Sequence, residues 1–142
     1  MIDINDDILL RKILMKHFTE PENFGLKNIA NAIIKDAKSQ TCADEMKIEI
    51  LVENNIFKEI NFEGTACAVA TSSADIFINL IKNKSLEDTK KIIYQYQNFL
   101  STGDLSEIDL LEDLVVFKNI YKQKNRILCA NLAIEAINEI IE

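Results

Sequence analysis

Residues 45–64 read EMKIEILVENNIFKEINFEG, and their pattern decides the fold class. Met46, Ile48, Ile50 and Val52 fall on one side of an extended chain, with Lys47 and Glu49 on the other. Side chains alternate across a strand, so this run predicts a strand with one buried face. Ile56 to Glu63 forms a second run, with Ile56, Ile60 and Phe62 apolar. Asn54-Asn55 separates the two, and asparagine tolerates the left-handed angles that a two-residue hairpin turn needs. The expectation is an antiparallel hairpin.

Outward from the hairpin the period becomes helical. Ala68 to Asn83 holds Val69, Ala70, Ser73, Ile76, Phe77, Leu80 and Ile81 as a broad buried stripe. Ser85-Leu-Glu-Asp88 has the form of a capping box before Ile92, Ile93, Tyr96, Phe99 and Leu100. Ser101-Thr-Gly-Asp104 breaks that helix. Ser106-Glu-Ile-Asp109 predicts another, with Ile108, Leu111, Leu114, Val115 and Ile120 inward. A last helix is expected from about Arg126, with Cys129, Leu132, Ala133, Ala136, Ile137 and Ile140 on one face. On the other side, Asp6 and Asp7 open an amphipathic helix containing Ile13, Leu14 and Phe18, which Pro21 closes. Residues 26–41 stay open: Ile29 to Ile34 suits a strand or a short helix. This order predicts an α+β fold, a small antiparallel sheet with helices packed on one face, as a single domain over residues 1–142.

Composition narrows the function. The 142 residues are 48% hydrophobic and include only three Gly and one Pro, which suits one packed core and argues against disorder. The net charge of −7 disfavours nucleic acid and anionic membrane as partners. Lys118 to Arg126 is the densest basic stretch, and it reads as a solvated helix end. The acidic N-terminus lacks the layout of a secretory signal, and no apolar run is long enough to span a bilayer. A cytoplasmic protein is expected, where thiols stay reduced and three cysteines are not a disulfide framework. No phosphate-binding Gly-rich loop and no nucleophile elbow is present.

Cys42 and Asp44 immediately precede the first strand, Cys67 lies between Gly64 and a helix, and Cys129 falls in the expected first turn of the last helix. The N-terminal end of a helix favours an anionic ligand atom, and thiolate is the form that binds metal. Three sulfurs and a carboxylate oxygen suffice for a tetrahedral zinc site. Three scattered cysteines are equally consistent with three small core residues. His17, the one histidine, follows an apolar helix face and suits a packed or capping role. Asp75 and the acidic set from Asp104 to Asp113 suit solvated faces.

The surroundings of the cysteines are more specific. His17-Phe-x-x-Pro21-x-Asn23-x-Gly25, Thr41-Cys42-Ala-Asp44, Phe62-x-Gly64-x-x-Cys67-Ala68 and Arg126-x-x-Cys129-Ala-x-Leu132-Ala133 occur in this order. Together they resemble the NifU-like N-terminal (IscU/SufU) family from about residue 8 to residue 140. The long interval from Cys67 to Cys129 is similar to the SufU branch, whose extra segment corresponds to about residues 100–120. Leu128 stands where IscU proteins have His, and their Leu-Pro-Pro-Val-Lys stretch is absent. The chain departs from the family at Gln40, Ala43 and Ala66, the last two in place of glycine. What the resemblance implies is a SufE/NifU-like fold, zinc held by Cys42, Asp44, Cys67 and Cys129, and Cys42 as acceptor of persulfide sulfur from a SufS-like cysteine desulfurase. Arg126 would support negative sulfur, or else form a surface ion pair. The alternatives that stay open are a transient iron–sulfur cluster scaffold, a carrier and not an enzyme, and a zinc-stabilised interaction or redox module. Downstream iron–sulfur assembly proteins would be further partners.

Overall fold

The computed structural model describes residues 2–39 and 43–142. Helix α1 (Asp7–Thr19) leads to strands β1 (Ile33–Lys38), β2 (Glu45–Glu53) and β3 (Ile56–Thr65). Helices α2 (Ala68–Ile81) and α3 (Leu86–Thr102) follow, then the short α4 (Ile108–Leu111), two 3-10 segments (Glu112–Phe117 and Ile120–Lys122) and α5 (Lys124–Ile141). The strands form an antiparallel sheet in the order β1-β2-β3. Helices α2 and α5 pack against the sheet, and α1 and α3 pack in turn on those two. The architecture is the expected α+β arrangement.

The hairpin turn has Asn54 and Asn55 at φ of 54° and 62°, the left-handed pair of the two-residue turn. Met46, Ile48 and Ile50 are buried, paired with Gly64, Phe62 and Ile60. The pairing slips between Leu51 and Val52, so Val52 opposes Phe57 and Leu51 opposes Glu59. This extra residue turns Phe57 inward in place of the expected Ile56, which is half-buried. β1 fills the ambiguous region, starting at Ile33. The free side of β3 is closed at both ends: Phe62 exchanges backbone bonds with Asn23 and Gly25, and Phe57 with Asn83 and Lys84.

Glu49 departs from the alternating pattern. It points away from the helices, as expected, yet is only 1% exposed. Its carboxylate accepts from the backbone N–H of Lys27 (3.0 Å) and Ile29 (2.9 Å) and from Asn61 Nδ2 (3.2 Å). The loop after α1 is thereby tied onto the outer sheet face. Burial alone would raise the Glu49 pKa, but the bonds from Lys27, Ile29, Asn61 and Asn28 outweigh it and leave it below the ordinary value. A depressed carboxylate stabilises the fold above its unfolded pKa and stops doing so as pH falls through its folded pKa. Glu49→Gln should therefore cost about 1–3 kcal/mol at pH 7, and the gap from the parent should narrow as pH falls from the ordinary glutamate range of about 4.3 through the lower folded value. Urea midpoints at pH 7 and pH 3 test this; an equal gap at both values would show that ionisation is not the cause.

Helix α2 is buried nearly all round, beyond the stripe predicted. Its polar side chains are internally bonded: Ser73 Oγ donates to the Ala130 carbonyl (2.7 Å) and accepts from Tyr96 OH (2.7 Å). Helix α3 starts on Ser85, whose Oγ accepts from the Asp88 N–H, and ends on left-handed Gly103. The helix expected from Ser106 shrinks to α4, because Glu112 at φ 45° interrupts it. The tighter 3-10 turns that follow bury Leu114, Val115 and Phe117.

Candidate metal centre

Asp44 precedes β2 and is 5% exposed. Its carbonyl accepts from Ser39 N–H (3.0 Å), which pins the end of the β1–β2 connection. Gly64, opposite Met46, adopts φ +134°, and a Cβ there would stand 2.1 Å from the Glu45 carbonyl oxygen. A side chain at 64 would thus push β3 away from the residue that follows Asp44, which gives the Phe62-x-Gly64 pattern a physical reason.

Cys67 is the N-cap of α2, at φ −67° and ψ 170°, and its sulfur accepts from Ala70 N–H (3.4 Å). Asp44 approaches it from β2: Oδ1 accepts from Cys67 N–H (2.8 Å) and Oδ2 from the Cys67 thiol (3.4 Å). Cys129 lies on α5, buried, with its thiol directed at the Asn125 carbonyl (3.5 Å). Because α5 begins at Lys124, Cys129 sits in the second turn and not the expected first. The helix N-terminus therefore bears on Cys67 and much less on Cys129. Cys42 lies outside the described residues, two positions before Asp44.

The ligand atoms of Asp44, Cys67 and Cys129 lie within 4.8 Å of one another. Around zinc at about 2.3 Å from sulfur, tetrahedral ligand atoms stand roughly 3.8 Å apart, so closure needs movements of no more than about 1 Å. One carboxylate and two thiols are also a suitable donor set. These residues fit zinc with one ligand still to be supplied. Arg126 is exposed on α5, one turn before Cys129, and lines a cleft with Ala68 and Val69, which directly follow Cys67. Among the described residues it forms no ion pair.

His17, Glu22 and Asp75 form a second close group. Asp75 is fully buried, against the expectation of a solvated face. Its Oδ2 is 2.6 Å from His17 Nδ1 and accepts from Glu22 N–H (3.0 Å); its Oδ1 accepts from Asn23 N–H (2.9 Å) and Asn23 Nδ2 (3.0 Å). Four partners occupy both oxygens and leave little for a metal, so the group is a clamp joining α1 and the Pro21–Gly25 turn to α2. His17 has the packed role expected. A lone acid among Ala74, Ile76 and Phe77 was the sequence signal for this clamp.

No helix among the described residues is long and apolar enough to cross a membrane. The NifU-like N terminal domain family matches residues 10–142. The zinc-dependent sulfurtransferase SufU of Bacillus subtilis is 26% identical over 135 residues, covering 95% of this chain and 90% of its own. The iron–sulfur cluster assembly scaffold protein IscU of Thermotoga maritima is 24% identical, covering 78% of this chain and 77% of its own. Among solved structures, the N-terminal part of a NifU-like protein from Brucella abortus superposes with a TM-score of 0.78 over 98% of this chain and 95% of its own, at 14% identity, a likeness of fold. With the match spanning nearly every residue and the Asp44–Cys67–Cys129 group inside it, the chain belongs to the NifU-like N-terminal domain family.

Proposed function

We propose that this chain is a sulfur acceptor for iron–sulfur cluster assembly, one domain over residues 1–142, working in the cytoplasm beside a cysteine desulfurase. It holds zinc through Cys42, Asp44, Cys67 and Cys129. The observation that carries this reading is the convergence of Asp44, Cys67 and Cys129 from β2, α2 and α5 on one point. The similarity to a protein named a zinc-dependent sulfurtransferase, over 95% of this chain, supports it.

Bound zinc would keep its cysteine ligands as thiolates and close the resting site. The chain's own residues do the rest. Asp44 keeps Oδ1 on the Cys67 amide, so its second oxygen is held toward the ligand point. Cys42, in the connection between β1 and β2, is the acceptor. Its thiolate attacks the outer sulfur of the donor's persulfide, forming a new S–S bond as the donor's S–S bond breaks. The donor cysteine leaves as thiolate with the electron pair, and neither oxidant nor reductant is consumed. Arg126 offers a guanidinium to the anionic sulfur at the site's mouth. The product is a Cys42 persulfide, which downstream iron–sulfur assembly proteins would receive.

A second reading, a transient cluster scaffold, draws support from the similarity to IscU of T. maritima. Metal and acid-labile sulfide in anaerobically purified protein separate the two: zinc without sulfide supports the acceptor, iron with sulfide the scaffold. For the acceptor, Cys42→Ala should lower persulfide formation on the chain by roughly 100-fold or more. A Cys42→Ala protein that kept both zinc and full transfer would overturn the reading.

A further inference from the structure

The cleft lined by Arg126 is a second feature of the same end of the molecule. It encloses about 430 Å³ and runs from the first residues of α2, beside Cys67, across one face of α1. Leu10, Leu14 and Val69 give it apolar walls, and Arg11, Lys118 and Arg126 stand around it. Lys118 is neutralised by Asp7, 2.9 Å away, and also donates to the Ile4 carbonyl (2.7 Å). Arg11 is exposed and, like Arg126, has no ion-pair partner among the described residues. Two uncompensated guanidiniums beside an apolar cleft are unexpected on a chain of net charge −7. The cleft's lining thus holds more cations than carboxylates, and desolvated Arg–carboxylate pairs are strong and specific contacts.

We propose that this cleft is the docking groove for the sulfur-donating protein, and that it takes an extended segment in which a carboxylate side chain flanks an apolar one. The proposal rests on the sulfur-acceptor reading, because a donor that delivers sulfur beside Cys67 must cover the adjoining surface. The apolar side chain lies against Leu10, Leu14 and Val69, and the carboxylate pairs with Arg11, which stands outside the Asp44–Cys67–Cys129 group. Arg11 thus sets partner affinity and orientation and takes no part in the transfer. Lys118, already engaged with Asp7, contributes little.

The test uses the zinc-loaded full chain and a purified SufS-type cysteine desulfurase from the same organism, following sulfur release against acceptor concentration. Arg11→Glu should raise the half-saturating concentration about tenfold, leave the rate at saturation unchanged, and weaken the dependence on salt. Lys90→Glu makes the same charge change on the exposed face of α3, beside Tyr94 and Leu110, and should shift half-saturation less than twofold. Equal shifts in the two variants would mean that net charge alone matters, and would overturn the groove. An Arg11→Glu protein that saturates like the parent would overturn it too. A parent chain that neither accepts sulfur nor accelerates the desulfurase would instead overturn the sulfur-acceptor reading itself. Melting curves of both variants confirm that their folds match the parent's.

Discussion

Cys67→Ser should lose the metal and keep the fold, while Cys67→Ala should lose the metal and part of the stability as well. Cys67 combines two tasks that these variants separate. As N-cap of α2 its sulfur accepts from the Ala70 N–H, and as a site residue it faces Asp44. Serine is among the preferred N-caps, and its oxygen serves the same orphan N–H groups. A neutral hydroxyl is a poor substitute for thiolate on zinc, so retained zinc should fall at least about tenfold in Cys67→Ser. Alanine can do neither task, and in metal-free protein it should be about 1 kcal/mol less stable than serine at the same position. Zinc per chain after dialysis against a mild chelator, with urea unfolding of the metal-free proteins, measures both effects. Full zinc in Cys67→Ser would remove Cys67 from the ligand set.

The largest loss of stability should come from a residue outside the metal centre. Asp75→Ala removes the acceptor of four hydrogen bonds and strands His17 and the Asn23 N–H in the interior, along with the part-buried Glu22 N–H, while the Asn23 amide keeps its bond to Asn79 Oδ1. Unpaired buried donors are costly, and breaking a buried charged network typically costs about 3–5 kcal/mol. For a chain of this length that lowers the melting point by roughly 10–15 °C. Asp75 lies two turns along α2 from Cys67, so zinc content should match the parent's below the new midpoint. A loss under about 1 kcal/mol would show that water reaches the clamp and replaces the carboxylate.

The hairpin was legible because one face of β2 meets the core and the other carries charge, and alternation encodes that directly. The bulge that exchanged Ile56 for Phe57 was not, since an extra residue leaves no mark on composition and depends on the partner strand. Glu49 and Asp75 misled for one common reason. Acidic side chains read as solvated unless their partners are known, and both find most of theirs in α1 and the loop after it, at sequence separations from about 20 to 58. The region from Ser106 to Lys122 has helical apolar spacing, yet its buried positions are met by 3-10 turns, whose period of three differs too little from 3.6 to show over one or two turns. Of the candidate metal centre, the residue types and neighbouring motifs stood in the sequence. The meeting of β2, α2 and α5 is a tertiary fact that spacing alone does not contain.

Asp44 and Cys67 directly precede, and Cys129 lies within, elements that are anchored without any metal. β2 is fixed by β1 and β3, α2 by burial on nearly every side, and α5 by its packing on α2, α3 and β1. Small zinc domains whose ligands sit on otherwise loose loops must fold and load together, so losing the ion dissolves them. Here Asp44, Cys67 and Cys129 are brought together by the fold itself, so their ordering cost is met before any ion arrives. A metal held by these three residues would therefore be gained, surrendered or exchanged as an ordinary binding equilibrium, uncoupled from the folding of the polypeptide.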